Sequence, residues 1–138
     1  MKTPYVVAVL AATVSAQTVN LTVPAPGQQI TAGQDLVVQI QRPTAATGSM
    51  EVAVVIGMAS CAAEACWPPS SSMGSILYSG PYDPEYRDPM QSPFQNFTVK
   101  VPDNLAKGPA QVNVAHMTII GASAAPFMET RNQSVVIV

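Results

Sequence analysis

The chain has 138 residues, 10% of them charged and 48% hydrophobic, with 13 prolines against 8 glycines. That length builds one domain and leaves no room for a second core. A formal charge of -2 and a pI near 5.1 provide no basic footprint for nucleic acid. High apolar content with little net charge does not suit intrinsic disorder, and no apolar run reaches the ~18 residues of a membrane-crossing helix.

In chain order, residues 1–16 read first as a secretory signal peptide. Lys2 supplies the positive start, Tyr5 to Val14 the short apolar stretch, and Val14-Ser15-Ala16 the small residues before a cut ahead of Gln17. The alternative, a first buried strand, is disfavoured because Ala8 to Ala12 is poor in β-formers. Removal leaves 122 residues, 17–138, as one domain, with 5 basic against 8 acidic side chains.

Beyond that point strand-like runs dominate. Thr18 to Val23 alternates with Val19, Leu21 and Val23 on one face, Leu36 to Ile40 places Leu36, Val38 and Ile40 inward, and Glu51 to Ile56 is Val-rich enough for a central strand. Further runs are Ser75 to Tyr78, Asn96 to Val101, Gln111 to Ile120 and Ser134 to Val138. Proline, glycine and small polar residues separate them, as in Pro24-Ala25-Pro26-Gly27, Ala32-Gly33-Gln34 and Lys107-Gly108-Pro109. About seven short strands with turns between them predict an all-β, antiparallel, immunoglobulin-like sandwich. The cysteine pair that joins the two sheets across a central tryptophan in antibody domains is missing, so packing must hold this version together.

Cys61 and Cys66 are the only cysteines and four residues separate them. In an oxidising compartment the expected product is one local disulfide, with a bridge to a second chain as the alternative. Thioredoxin-type redox chemistry requires two intervening residues, and a zinc site would need more ligands than one histidine and two cysteines supply. Three sequons agree with export: Asn20-Leu21-Thr22, Asn96-Phe97-Thr98 and Asn132-Gln133-Ser134.

Residues 67–97 break the strand pattern. They hold Trp67, Tyr78, Tyr82, Tyr86, Phe94 and Phe97, six of the seven aromatics beyond the leader, together with six prolines. Prolines at that density pre-order an extended backbone, and aromatic faces suit protein partners and sugar rings alike. Trp67, Tyr82 and Tyr86 are therefore the expected binding surface; the competing expectation is that some of these rings fold back over a sandwich edge.

Catalytic chemistry has few footholds. His116 shares strand parity with Val112 and Val114, which suits a packed or hydrogen-bonded residue better than a general base, and no Gly-x-Ser-x-Gly elbow accompanies it. Asp83, Glu85 and Asp88 offer carboxylates for glycoside hydrolysis or for calcium. The simpler reading is a solvated acidic loop with Arg87 as its partner. No catalytic residue, metal or cofactor is assigned, and a hydrolase using His116 or the three carboxylates stands as the last alternative.

Two stretches carry a family resemblance. Pro24-Ala25-Pro26-Gly27-Gln28-Gln29-Ile30-Thr31-Ala32-Gly33-Gln34-Asp35-Leu36 resembles the opening of secreted fungal immunoglobulin-like domains, including the amino-terminal module of yeast cell-wall glucan-assembly proteins. Phe97-Thr98-Val99-Lys100-Val101-Pro102-Asp103-Asn104-Leu105-Ala106-Lys107-Gly108 is similar to a strand, turn and glycine pattern of fungal extracellular sandwiches. Residues 17–138 as a whole resemble small secreted mushroom glycoproteins, some of them immunomodulatory. The chain departs from the compact lectin-like immunomodulatory family, which typically lacks a signal peptide and cysteines. It departs too from copper-dependent polysaccharide oxygenases, which hold copper through an amino-terminal histidine where this chain would begin at Gln17.

The resemblance implies a secreted, non-enzymatic glycoprotein that engages an animal immune-cell receptor and activates macrophages. The alternative is a cell-wall or β-glucan-binding protein. The expected partner is thus a cell-surface receptor or a cell-wall polysaccharide.

Overall fold

The computed structural model describes residues 18–44 and 48–138. The leader expected over residues 1–16, and Gln17 at the start of the expected domain, lie outside them. Eight strands follow one another: β1 (Asn20–Val23), β2 (Gln28–Ile30), β3 (Asp35–Gln41), β4 (Ser49–Ser60), β5 (Ser75–Gly80), β6 (Phe94–Lys100), β7 (Gly108–Ile120) and β8 (Ala125–Ile137). They form a three-stranded sheet of order β1-β3-β6 and a five-stranded sheet of order β2-β8-β7-β4-β5. This is an all-β sandwich with immunoglobulin-like strand order, in which the first strand is split so that each half joins a different sheet.

The split accounts for the main difference from the sequence expectation. The segment Gln28–Ile30 has no alternating pattern of its own, yet it pairs parallel with Val135, Val136 and Ile137 of β8. The chain changes sheets at Pro24, whose peptide bond with Val23 is cis. Gly27 then takes a positive φ of 73°, a conformation that costs an L residue, and its N–H donates to the Ser134 carbonyl. All other strand pairings are antiparallel.

Strand alternation builds the core. Leu36, Val38 and Ile40 of β3 face Val54, Ile56 and Met58 of β4 and Val112 and Val114 of β7, with Val135 and Ile137 of β8 filling the next row. Each of these β-branched or aliphatic side chains is worth about 1.5–3 kcal/mol when fully buried, so the layer stands without an inter-sheet disulfide. β7 and β8 run thirteen residues each, longer than the sequence runs, because their register continues unbroken from Gly108↔Ile137 to Ile120↔Ala125.

The aromatic segment closes the open side of the sandwich between β5 and β6. Tyr78 and Phe97 pack with ring centroids 4.7 Å apart, and the Tyr82 ring lies 6.4 Å from that of Phe97. Tyr82 is 3% exposed, and its hydroxyl donates to the Ile40 carbonyl at 3.1 Å. This corrects the expectation that Tyr82 belongs to an outer binding surface: with only three strands opposite five, the sandwich needs a large side chain here, and a tyrosine that finds an acceptor supplies it.

Candidate functional site

Two arrangements stand out, one inside the sandwich and one on its surface. The inner one is built by three strands of the five-stranded sheet at the end where β3 finishes. His116 on β7 pairs in register with Glu129 on β8 and with Val54 on β4, and a bulge after Glu51 brings that carboxylate onto the same inner face. The imidazole sits between two acids: Nδ1 lies 3.2 Å from Glu129 Oε1, and Nε2 contacts Glu51 Oε2. Glu129 Oε1 also accepts the Val19 N–H at 2.6 Å, which ties down the chain just before β1. Arg42 lies 4.0 Å from Glu51 Oε1, and the Tyr82 ring meets the imidazole edge-on at 5.4 Å.

His116 is 1% exposed. Burial by itself would lower its pKa, but hydrogen bonds to Glu129 and Glu51 and the negative charge of both acids prevail, and the pKa is pushed up to about 9. The ring is therefore an imidazolium donating from both nitrogens, and with Arg42 it balances the two carboxylates. Burial likewise pushes the Tyr82 phenol up, with the Glu51 charge adding to it. The acids grip opposite sides of the ring, so they do not converge on a common point as metal ligands would. Among the described residues no group of three His, Cys, Asp or Glu is arranged to hold a metal ion.

The sequence pointed to His116 as a packed, hydrogen-bonded strand residue, and that is its position. Glu51 and Glu129 were not foreseen. Glu129 does share strand parity with Val135 and Ile137, and that was the available signal. The other carboxylates singled out in the sequence stay apart from this cluster. Asp83 is exposed, Glu85 pairs with Arg87 at 3.4 Å on the surface, and Asp88 accepts the Met90 N–H at 2.9 Å within its own turn.

The outer arrangement lies on the opposite face of the same sheet. Ala53 and Val55 of β4, Ala115 and Met117 of β7 and Met128 of β8 point outward side by side, in the register Ala53↔Met117, Val55↔Ala115 and Met117↔Met128. The other half of the face is covered by the segment between β4 and β5. Two amides fasten that cover: Asn113 Nδ2 donates to the Met73 carbonyl at 3.2 Å, and Gln111 Nε2 donates to the Trp67 carbonyl at 3.2 Å and to Asn113 Oδ1 at 2.6 Å. Gly57 lets the Met73 backbone lie directly on β4, where a Cβ would collide with the Met73 carbonyl. The Cys61–Cys66 disulfide forms within the chain at the root of the same cover.

The cover ends in a step, and a groove of about 330 Å³ follows it, lined by Pro69, Ser70 and Met73 on one side and Ala115, Met128 and Thr130 on the other. A second hollow of about 210 Å³ continues over Ala53, Val55, Met117 and Met128. Glu129 and His116 touch these hollows from beneath, but their charged ends turn inward to the cluster.

The expected binding residues are thus scattered. Trp67 is exposed beside the start of β7, whereas Tyr86 is exposed in the β5–β6 loop beside the Glu85↔Phe94 bridge, at the other end of the sandwich. Asn20, Asn96 and Asn132 are all exposed. Asn20 and Asn96 share the outer face of the three-stranded sheet with their sequon partners Thr22 and Thr98, bridged by Gln39. Asn132 lies on β8 opposite Asn113.

The model of the Nis1 family matches residues 14–136. The chain belongs to the Nis1 family. No curated protein matches this Nis1 member. Among solved structures it is similar to a cellulose-active LPMO, CelS2, in complex with copper, at 15% identity and a TM-score of 0.45. The match covers 80% of the Nis1 chain and 53% of that structure, so this chain spans about half its length.

Proposed function

We propose that this Nis1-family chain is a secreted, non-enzymatic binding module that docks a protein partner on the outer face of β4, β7 and β8. The observation that carries the reading is the groove beside the loop cover, with its aliphatic and thioether lining. Methionine is unbranched and polarizable, and it adapts to protein side chains of differing shape. A lipid surface would call for a basic rim, and a sugar for flat rings with polar groups beside them; neither lines this face. The occupant that fits is an uncharged protein surface that inserts one or two apolar anchors.

The finer form of the reading, from the sequence resemblance, makes that partner a receptor on an animal immune cell. Its test is binding of labelled, endotoxin-free protein to macrophages, with cytokine release as the second readout. Binding that disappears with Met128→Asp and after protease shaving of the cells supports the reading. Binding that Met128→Asp leaves intact rejects this face, and silence of a folded protein on macrophages rejects the immune-cell partner.

A second reading, β-glucan or cell-wall binding, is favoured by the exposure of Trp67 beside Pro68 and Pro69. Sedimentation with insoluble β-glucan, lost with Trp67→Ala and kept with Met128→Asp, would transfer the function to that ring. A wild-type protein that stays in the supernatant removes it.

A further inference from the structure

We infer that Met117 and Met128 form an oxidation site through which peroxide weakens the docking face; the inference rests on the reading that this face binds a partner. The two side chains are direct cross-strand neighbours on β7 and β8, on the non-covered half of the sheet. Met128 is 72% exposed and Met117 38%. Met128 lines both hollows, so one modification alters the whole groove. Met50, paired with Ile119 at the end of the same sheet, is exposed as well. By contrast Met58, two residues beyond Ile56 on β4, points inward and is 0% exposed.

The chemistry follows from access. A thioether sulfur attacks one oxygen of hydrogen peroxide, the S–O bond forms as the O–O bond breaks, and the departing hydroxide takes the proton from the new S–OH group, leaving sulfoxide and water. Sulfur loses two electrons and peroxide gains them. The product sulfoxide is polar and chiral, and it puts a strong hydrogen-bond acceptor where the partner's apolar anchor would lie.

The test uses the full secreted protein, hydrogen peroxide, and an octyl-agarose column as the apolar probe. Peptide mapping should show Met128 and Met117 gaining oxygen at least about ten-fold faster than Met58 in the folded protein. Column retention should fall on oxidation of the wild type and persist in the Met117→Leu/Met128→Leu variant, while Met90→Leu, altering an exposed methionine on the β5–β6 loop, should lose retention as the wild type does. Met58 reacting as fast as Met128, unchanged retention of the oxidised wild type, or an equal loss in the double-leucine variant would each overturn the inference. A reduced wild type that octyl-agarose fails to retain would instead overturn the docking reading on which the inference stands.

Discussion

His116 shows how a single polar residue can be accommodated in a β core. Its two ring nitrogens have an acid each, and removing the ring would leave Glu51 and Glu129 facing one another in a low-dielectric interior. His116→Ala should therefore cost about 3–5 kcal/mol, a large share of the ~5–15 kcal/mol that holds a domain of this size, and denaturant titration will measure it. The histidine also sets a pH dependence. Its pKa is raised from 6.5 to about 9 on folding, so the folded state holds the proton more tightly than the unfolded chain. That contribution is complete below pH 6.5 and is lost as pH rises through 9, amounting to roughly 3 kcal/mol. Unfolding free energies across that window should fall for the wild type and stay flat for His116→Gln. A wild-type profile that is flat as well would show that the imidazole is neutral in the fold.

At the scale of elements, the cover between β4 and β5 is held by a short disulfide and by two buried amides. The disulfide closes so small a loop that the chain-entropy model assigns it about 2 kcal/mol, and the Cys61→Ser/Cys66→Ser variant should remain folded. Asn113 is completely buried, and truncating it leaves the Met73 carbonyl without its donor. Asn113→Ala should cost about 1–3 kcal/mol and speed hydrogen exchange over residues 67–74 while β6 and β7 stay protected. Equal protection in that variant would mean that the disulfide and Gly57 suffice to seat the cover. The same element decides the shape of the docking face, because Pro69, Ser70 and Met73 form one wall of the groove beside Met128.

For the whole molecule, the two sheets have different outer faces. The three-stranded sheet is polar outside and carries Asn20 and Asn96 in exposed sequons, and the five-stranded sheet is apolar outside around Ala53, Val55, Met117 and Met128, turning polar along β8 at Thr130, Asn132 and Ser134. Glycans at Asn20 and Asn96 would supply the polar surface that a chain with 10% charged residues lacks, on the sheet opposite the methionines, whereas one at Asn132 would stand on the methionine side of β8, two residues beyond Thr130. Protein secreted from a eukaryotic host should lose mass on enzymatic deglycosylation, in steps that disappear with Asn20→Gln, Asn96→Gln and Asn132→Gln. An unchanged mass would assign solubility to the protein surface alone.

What the sequence by itself determined is the all-β sandwich. Strand alternation at Leu36, Val38 and Ile40 and at Val112 and Val114 is a local, period-two signal, and burial follows directly from it. The Cys61–Cys66 pairing was legible for the same reason, since the two residues are neighbours along the chain. The strand Gln28–Ile30 was not, because three residues without alternation become a strand only when β8 offers its edge. The direction of each ring between Trp67 and Phe97 also lay beyond composition: Tyr82 turned inward to plug the side between β5 and β6, and Trp67 and Tyr86 remained outside at opposite ends. Only the tertiary structure decided that Glu51, His116 and Glu129, from three strands, share one buried cluster and that Met117 and Met128 share one exposed face. Both depend on cross-strand register, a relation between residues far apart in the chain that no single stretch of sequence encodes.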